Sequence, residues 1–205
     1  MNRIIVEGIT GTGKTTILNM YNDITGLKKK DSIILSQFYT SSVAFKDETL
    51  IAKNKVKKNM KKITGMIIWL DELYELYGNS NYKSKVDVFL ETFHIENFIK
   101  YNISDYSLFE EIDSLLFQMG FKLIVLYLPE NSIKVRSIEL TKKHRNSQSW
   151  NVYLDDLEKR NGAINYFIDI QQRILNLSQH SKLPKMYIDT QNMEWEKYLE
   201  NILLF

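Results

Sequence analysis

The octapeptide Gly8-Ile9-Thr10-Gly11-Thr12-Gly13-Lys14-Thr15 decides the fold prediction, because it completes the pattern G-x-x-x-x-G-K-[ST]. A mainly apolar run at 3–7 comes directly before it, and an amphipathic stretch that contains Ile17 follows it. In a strand–loop–helix context such glycines let successive backbone N–H groups turn onto a phosphate, with the positive end of the helix dipole behind them. The sequence therefore predicts a phosphate-binding loop (P-loop) that holds a nucleoside triphosphate.

Two side chains of the P-loop have evident chemical roles. Lys14 is long enough to reach the β- and γ-phosphates, and the Thr15 hydroxyl suits Mg²⁺, which prefers oxygen ligands. The other loop positions expected to bind ATP are Gly8, Thr10, Gly11, Thr12, Gly13 and Thr16. A dinucleotide fingerprint is excluded, because it needs a third small residue where Thr16 stands.

The choice of nucleotide rests on two GTPase patterns that fail. Residues 23–26 match Asp-x-x-Gly, but they lie at the end of the helix predicted after the P-loop and do not follow a strand. Residues 54–57 read Asn-Lys-Val-Lys, and no aspartate follows to read guanine. We therefore expect ATP, together with Mg²⁺.

Composition limits the class of protein. At 205 residues and 44% hydrophobic content, the chain suits a single domain over 1–205 with a sizeable core. No stretch is apolar for long enough to cross a membrane, and the opening residues leave no room for a signal peptide, so we expect a cytoplasmic protein. The absence of cysteine excludes disulfides and thiolate metal sites. A net charge of +2 is too small to indicate nucleic acid as a partner, and the sequence allows a homodimer.

Strands and helices alternate along the rest of the sequence. After the first strand, further strands are predicted at 32–39, 86–91, 121–128 and 186–189. Helices are predicted at 43–78, 95–101 and 104–119, then a charged helical region to about 145, one long helix at 150–179 and a closing helix. This alternation predicts a three-layer α/β fold, in which helices cover both faces of a parallel sheet.

A P-loop needs a partner carboxylate, and the sequence offers two candidates. The first is the segment 65–72, where Asp71 and Glu72 follow an apolar run, as in motor-type ATPases. Its apolar residues keep helical spacing, so Asp71 and Glu72 are predicted to lie on a solvated helix face. The second is Glu91, at the carboxyl end of a buried strand, where it can hold Mg²⁺ through water or orient an acceptor. The motor-type alternative requires 66–70 to form a strand beside the P-loop strand.

The polar region at about 129–149 is predicted to be a helical lid. Arg136 and Arg145 lie nine positions apart in it, and their forked, permanent charges suit the oxygens of a phosphoryl group in transfer. A lid would also exclude water, which protects ATP from hydrolysis.

Four segments in this order resemble the thymidylate kinase and deoxynucleoside kinase family of P-loop kinases. They are 6–16 with its Glu-Gly entry, 89–94 in the place of the family's strand-end acidic-Arg pair, 128–130 with Arg136, and 187–190. The resemblance implies a five-stranded parallel sheet in the order 2-3-1-4-5 and transfer of the ATP γ-phosphoryl to a nucleoside or nucleotide. It also implies that Lys14, Arg136 and Arg145 stabilise the transferring group.

The resemblance further implies where Mg²⁺ and adenine bind. Thr15 and Glu91 would organise Mg²⁺, the latter through water. Adenine would lie between the lid and the loop that contains Thr190 and Gln191.

The sequence departs from the family at the acceptor side. Thr92 stands where the family has an arginine, and the end of the second strand lacks an acidic general base. A phosphate acceptor is already ionised and needs no base, whereas a hydroxyl acceptor benefits from one. The candidates for acceptor binding are Gln37, Tyr39 and His94.

Three alternatives to a nucleoside or nucleotide kinase therefore stay open. One is a phosphotransferase for another small molecule, such as a sugar or an antibiotic, because acceptor pockets are built from scattered residues. The second is an ATP-binding regulatory or interaction protein with weak or no transfer, which Thr92 favours. The third is the motor-type ATPase.

Overall fold

The P-loop strand lies at the centre of a five-stranded parallel sheet in the computed structural model. This structure describes residues 2–27, 32–40, 50–77, 86–145, 147–160 and 162–205. The strands are β1 Arg3–Glu7, β2 Ser32–Leu35, β3 Asp87–Glu91, β4 Lys122–Tyr127 and β5 Lys185–Asp189. Their order is β2-β3-β1-β4-β5, and every neighbouring pair is parallel. The predicted fold class and strand order are confirmed.

Helices connect these strands and cover both faces of the sheet. The first five are α1 Lys14–Leu27, α2 Gln37–Thr40, α3 Leu50–Tyr77, α4 His94–Lys100 and α5 Tyr106–Gln118. They are followed by α6 Glu130–Ile133, α7 Thr141–Arg145, α8 Gln148–Arg160, α9 Ala163–Gln179 and α10 Trp195–Leu204. The segment Lys134–Leu140, between α6 and α7, is π-helical. Among the described residues, no helix combines the length and apolar character that crossing a membrane requires.

Alternating residues of the strands build two separate hydrophobic cores. On β1, Ile4 and Val6 pack toward α1 and α10, whereas Ile5 packs toward α3, α4, α5 and α9. All three are almost completely buried, because a central parallel strand has helices on both faces. This burial fixes the end of β1, and with it the start of the P-loop.

The second strand is shorter than predicted. The sequence predicts a strand over 32–39, but β2 ends at Leu35 and residues 37–40 form the short helix α2. The Glu91 carboxylate accepts a hydrogen bond from the backbone N–H of Gln37 at 3.0 Å, and the Thr40 hydroxyl donates to the Glu91 carbonyl oxygen. These bonds turn the chain across the end of β3, so Gln37 and Tyr39 lie on a helix.

The predicted long helix over 150–179 is also wrong, because the chain breaks into α8 and α9. Gly162 adopts a φ of 81°, a left-handed conformation that interrupts a right-handed helix. The Glu158 carboxylate accepts a hydrogen bond from the backbone N–H of Ala163 at 2.8 Å, which supports the start of α9.

The segment 66–70 lies inside α3, as its helical spacing predicts. The strand neighbours of β1 are β3 and β4. The motor-type ATPase alternative is therefore excluded. The first part of the predicted helix, 43–49, lies outside the described residues.

Asp71 is not on a solvated face, contrary to the prediction. Arg3 donates to both Asp71 carboxylate oxygens, at 2.7 Å to Oδ2 and through a second, shorter contact to Oδ1, and it also donates to the Met119 carbonyl oxygen at 3.0 Å. The Arg3 side chain is only 3% exposed, so this pair ties α3 to the start of β1. Glu72, its neighbour, is exposed as predicted.

We predict that Asp71→Asn lowers the free energy of unfolding by about 2 kcal/mol, because it leaves the buried Arg3 guanidinium without a counter-charge. Urea unfolding monitored by circular dichroism measures this change. The neighbouring exposed variant Glu72→Gln is the control, with an expected change within about 0.5 kcal/mol. Equal effects of the two substitutions would contradict the structural role of the Arg3–Asp71 pair.

Candidate active site

Close packing against the P-loop explains two of its glycines. Gly11 and Gly13 have φ values of 89° and 92°, which L-residues rarely adopt. A Cβ on Gly11 would lie 2.5 Å from the Arg136 carbonyl oxygen, and a Cβ on Gly13 would lie 2.3 Å from the Trp195 ring. Only glycine lets the segment that contains Arg136, which was predicted to be a lid, and α10 approach the loop this closely.

Lys14, the first residue of α1, is buried at the mouth of the loop. Its ammonium group donates to the carbonyl oxygens of Gly8 and, at 3.1 Å, of Ile9, and it lies 3.8 Å from Glu96 Oε2. Burial lowers the pKa of Lys14, whereas the charge of Glu96 opposes this effect. A buried ammonium group held mainly by neutral carbonyl oxygens suits an anion, so its position fits a triphosphate.

The two residues predicted to organise Mg²⁺ lie side by side. Thr15 Oγ1 donates to Glu91 Oε1 at 2.5 Å, and Glu91 Oε2 accepts the N–H of Gln37. Glu91 is 2% exposed and lies at the carboxyl end of β3. A hydroxyl and a carboxylate beside a P-loop are the oxygen donors that Mg²⁺ prefers, so these residues fit the ion.

Glu7 is a fully buried carboxyl group that the sequence analysis missed. Glu7 Oε1 accepts hydrogen bonds from the N–H groups of Phe93 at 3.0 Å and Ile95 at 3.1 Å, and Oε2 accepts that of Glu96 at 3.3 Å. Burial, together with the nearby charge of Glu96, raises the pKa of Glu7 to about 8. The raised pKa favours the protonated form of Glu7 at neutral pH, and its hydrogen bonds link β1 to the start of α4.

A row of buried charges runs from the P-loop into α4. Glu96 is 2% exposed, and its Oε1 contacts the ammonium group of Lys100 while its Oε2 faces Lys14. Burial raises the pKa of Glu96, but the charges of Lys100 and Lys14 outweigh this effect and lower it on balance. The i,i+4 spacing of Glu96 and Lys100 was the available signal, but on most helices such a pair is a surface feature.

Arg136 connects the helical segment Lys134–Leu140 to two loops. Its guanidinium donates to the carbonyl oxygens of Thr190 at 2.9 Å, Gln191 at 3.3 Å and Gly11 at 3.0 Å. The group lies 5.5 Å from the centroid of the Trp195 ring, and burial lowers its pKa. The structure thus brings the predicted lid residue together with the predicted adenine loop, although the guanidinium is bonded to backbone carbonyls. A role of Arg136 on the transferring phosphoryl stays a prediction.

Arg145 is more exposed and ends α7. Its guanidinium carbon lies 4.3 Å from the centroid of the Trp150 ring, a cation–π contact. Burial lowers the pKa of Arg145, and the charge of Glu91 acts in the opposite direction.

The structure corrects one predicted acceptor residue and leaves two as predictions. His94 is completely buried, and its Nε2 lies 3.1 Å from Asp113 Oδ1, while its ring stacks on Phe109. It is a core residue that an acceptor cannot reach in this structure. Gln37 and Tyr39 lie on α2 beside Glu91, and the Tyr39 side chain is 61% exposed.

Thr92 adopts a strained backbone conformation at the end of β3. Its φ is 56°, unusual for a β-branched residue, and its side chain is fully buried. Its N–H donates to the Val6 carbonyl oxygen at 2.8 Å, which continues the pairing of β1 with β3. In the position where the resemblance places an arginine, the chain makes a tight turn into α4.

Comparison with known proteins shows the fold. No protein-family model matches the sequence, and no curated protein is significantly similar to it. The structure is similar to the YorR protein of Bacillus subtilis in complex with phosphorylated GDP, with a TM-score of 0.59, 12% identity and coverage of 99% of this chain and 94% of that one. It is also similar to shikimate kinase from Acinetobacter baumannii in complex with shikimate, with a TM-score of 0.50, 14% identity and coverage of 100% and 94%. The fold is therefore that of the P-loop kinases.

We predict that the free energy of unfolding decreases as the pH rises from 6 to 8, and that Glu7→Gln flattens this dependence. Glu7 keeps its proton up to about pH 8 in the folded state, whereas an unfolded glutamate loses it near pH ~4.3. In this interval the folded state binds the additional proton, so raising the pH favours unfolding, by at most ~1.4 kcal/mol per pH unit. Urea unfolding at pH 6, 7 and 8 measures the slopes.

The exposed variant Glu200→Gln is the matched control and should keep the wild-type slope. Parallel slopes for the wild type and Glu7→Gln would show that Glu7 does not hold a proton.

Proposed function

We propose that this protein is an ATP- and Mg²⁺-dependent phosphotransferase, similar to thymidylate kinase, which moves the γ-phosphoryl of ATP to a nucleoside, a nucleotide or a similar small molecule. One observation carries the proposal. The lysine of the P-loop is buried at the mouth of the loop. Next to it, the Thr15 hydroxyl donates a hydrogen bond to the Glu91 carboxylate at 2.5 Å. A phosphate-binding turn and the oxygen donors for a divalent cation thus converge on one point.

The side chains support transfer in the following way. The backbone N–H groups of the loop and Lys14 would hold the β- and γ-phosphates, with the N-terminus of α1 behind them. Thr15 and Glu91 would hold Mg²⁺, which when bound supplies positive charge to the phosphate oxygens. Arg145 lies at the end of the lid segment, where a forked cation can stabilise charge on the group in transfer.

The similar structures support a small-molecule acceptor. One of them holds phosphorylated GDP, and the other is a kinase that holds shikimate. Ligands of open α/β sheets bind at the carboxyl ends of the strands. The P-loop and Glu91 of this chain lie at that edge, so we place a small acceptor there.

The second candidate is an ATP-binding regulatory protein without efficient transfer. Arg136 favours this candidate. Its three hydrogen bonds to carbonyl oxygens hold the guanidinium on the P-loop and on the predicted adenine loop, and not on a group in transfer. Thr92, which stands where the resemblance places an arginine, also favours a protein without efficient transfer. Binding of ATP together with turnover that does not exceed background hydrolysis for any acceptor would favour this candidate.

We predict that Lys14→Met reduces phosphoryl transfer at least about a hundredfold, because it removes the cation that contacts the transferring group. Coupled ADP release, corrected for hydrolysis, measures turnover over a panel of nucleosides and nucleotides. The same variant should lose the rise in melting temperature that Mg-ATP gives the wild type. Lys62→Met, on the exposed side of α3, is the matched control. Undiminished turnover of Lys14→Met would end the assignment.

We also predict that Thr15→Val makes ATP binding nearly independent of magnesium. The substitution keeps the shape of the side chain and removes the hydroxyl that faces Glu91. Calorimetric titration of ATP with Mg²⁺ and with EDTA should give about a tenfold difference in affinity for the wild type and little difference for the variant. A wild-type affinity that does not change with Mg²⁺ would show that these residues do not serve the ion.

A further inference from the structure

The short helix α2 lies against the end of β3 and contacts Glu91, the candidate Mg²⁺ ligand. Its four residues, Gln37–Thr40, form a single helical turn. A turn of this length is not stable by itself in water, because the first hydrogen-bonded turn orders several residues for one bond. Contacts with the rest of the molecule must therefore hold α2 in place.

Thr40 joins α2 to two other elements. Its hydroxyl donates to the Glu91 carbonyl oxygen at the end of β3, with the Ser36 carbonyl oxygen as a second acceptor at 3.3 Å. Its own carbonyl oxygen, at the end of α2 where the intrahelical bonds stop, accepts a hydrogen bond from Asn97 Nδ2 of α4 at 2.8 Å. Thr40 is 1% exposed and Asn97 is completely buried, so water does not compete for these bonds.

Asn97 has an incomplete set of hydrogen bonds. Its Nδ2 donates to the Thr40 carbonyl oxygen, but its buried Oδ1 has no hydrogen-bond partner among the described residues. A buried amide with one unpaired oxygen lowers stability, so stability alone does not explain an asparagine at this position. Its contact with α2 offers a different explanation.

The position of α2 determines how the Glu91 carboxylate is oriented. The backbone N–H of Gln37, at the start of α2, donates to Glu91 Oε2 at 3.0 Å, and the Thr15 hydroxyl donates to Oε1 at 2.5 Å. Because α2 holds Oε2, the other oxygen is directed at the P-loop. A carboxylate with a fixed orientation binds a cation better than one that rotates freely, since it loses less freedom on binding.

We propose that Thr40 and Asn97 are positioning residues for magnesium, which act through α2 on the orientation of the Glu91 carboxylate. This inference rests on the proposed function, in which Thr15 and Glu91 hold the ion. Asn97 holds the end of α2, and the Thr40 hydroxyl holds the same turn against β3. The Gln37 N–H, at the other end of the turn, then holds Glu91 Oε2. Removal of such a supporting group typically lowers metal affinity about 10- to 100-fold.

The first test measures the magnesium dependence of ATP binding in variants of Thr40. ATP is titrated calorimetrically into the wild type and into Thr40→Val, once with Mg²⁺ and once with EDTA. We expect the affinity of Thr40→Val in EDTA to stay within about twofold of the wild type, while the roughly tenfold gain from Mg²⁺ falls to about threefold or less. Thr40→Ser keeps the hydroxyl and should restore the gain.

Thr64→Val is the matched control. Thr64 is also a buried threonine, 2% exposed, but its hydroxyl donates to the Met60 carbonyl oxygen within α3. This variant should keep the gain from Mg²⁺. A full gain in Thr40→Val, or an equal loss of affinity with Mg²⁺ and with EDTA, would overturn the inference and leave the proposed function intact. If the wild type bound no ATP, or bound it without any gain from Mg²⁺, the metal assignment and this inference would fail together.

A second variant tests the same network from α4, so the inference does not depend on one substitution. Asn97→Leu has a side chain of similar size and removes the bond to Thr40 together with the unpaired Oδ1. One unpaired oxygen replaces another, so we expect a melting temperature within about 4 °C of the wild type. Most of the gain from Mg²⁺ should nevertheless be lost. A stable variant that keeps the gain would overturn the inference.

A third measurement uses the wild type alone and holds even if these variants fail to fold. Hydrogen exchange is followed at the backbone amides of α2 in protein saturated with ATP, with Mg²⁺ and with EDTA. Because the Gln37 N–H is bonded to Glu91 Oε2, an ion at Glu91 should slow its exchange at least about threefold. Equal exchange in the two conditions would overturn the inference.

Discussion

The parallel pairing of β1 with β3 is the constraint on which the site depends. Val6 lies opposite Glu91 in the register, so the chain leaves both strands at the same edge of the sheet. The chain that follows β1 forms the P-loop, and the chain that follows β3 turns through Thr92 into α4. The Glu7 carboxyl group accepts hydrogen bonds from the N–H groups at the start of α4, which holds these two segments together. Without this pairing, the lysine of the loop and the carboxylates of β3 and α4 would not meet.

The site contains more buried charge than a phosphate-binding loop requires. Glu7, Lys14, Glu91 and Glu96 are each at most 5% exposed. A buried carboxyl group stays ionised only where nearby positive charges or hydrogen bonds offset its loss of hydration. Burial and the charge of Glu96 raise the pKa of Glu7 to about 8, whereas Lys100 and Lys14 lower the pKa of Glu96 on balance. Of these two carboxyl groups, Glu96 is therefore the better placed to carry negative charge, and it faces Lys14 of the P-loop.

The sequence predicted the sheet well because its signals are local. The P-loop pattern, the alternation of strands and helices and the helical spacing of α3 each depend on neighbours within a few turns, and the structure confirms the strand order. The errors occur where distant contacts decide the conformation. Hydrogen bonds between Glu91 and residues 37 and 40, far away in the sequence, end β2 early.

The candidate site was predicted only in part, because some of its residues are brought together by contacts that are distant in the sequence. Thr15 and Glu91 were placed together because a P-loop and a strand end have known positions in such a sheet. Glu96 could not be found, because an acid on a helix has an ordinary structural explanation until the fold shows that it lies 3.8 Å from Lys14. His94 was misplaced, since only the packing of α4 on α5 shows that its partner is Asp113.

The Arg136 contacts also join two distant parts of the chain. One planar guanidinium bonds the P-loop through Gly11 and the residues that follow β5 through Thr190 and Gln191. Because a single rigid fork of donors makes all three bonds, the spacing between these two loops is fixed by one side chain. The amino-terminal loop and the carboxyl-terminal strand thereby share one fastening, although about 180 residues of chain separate them.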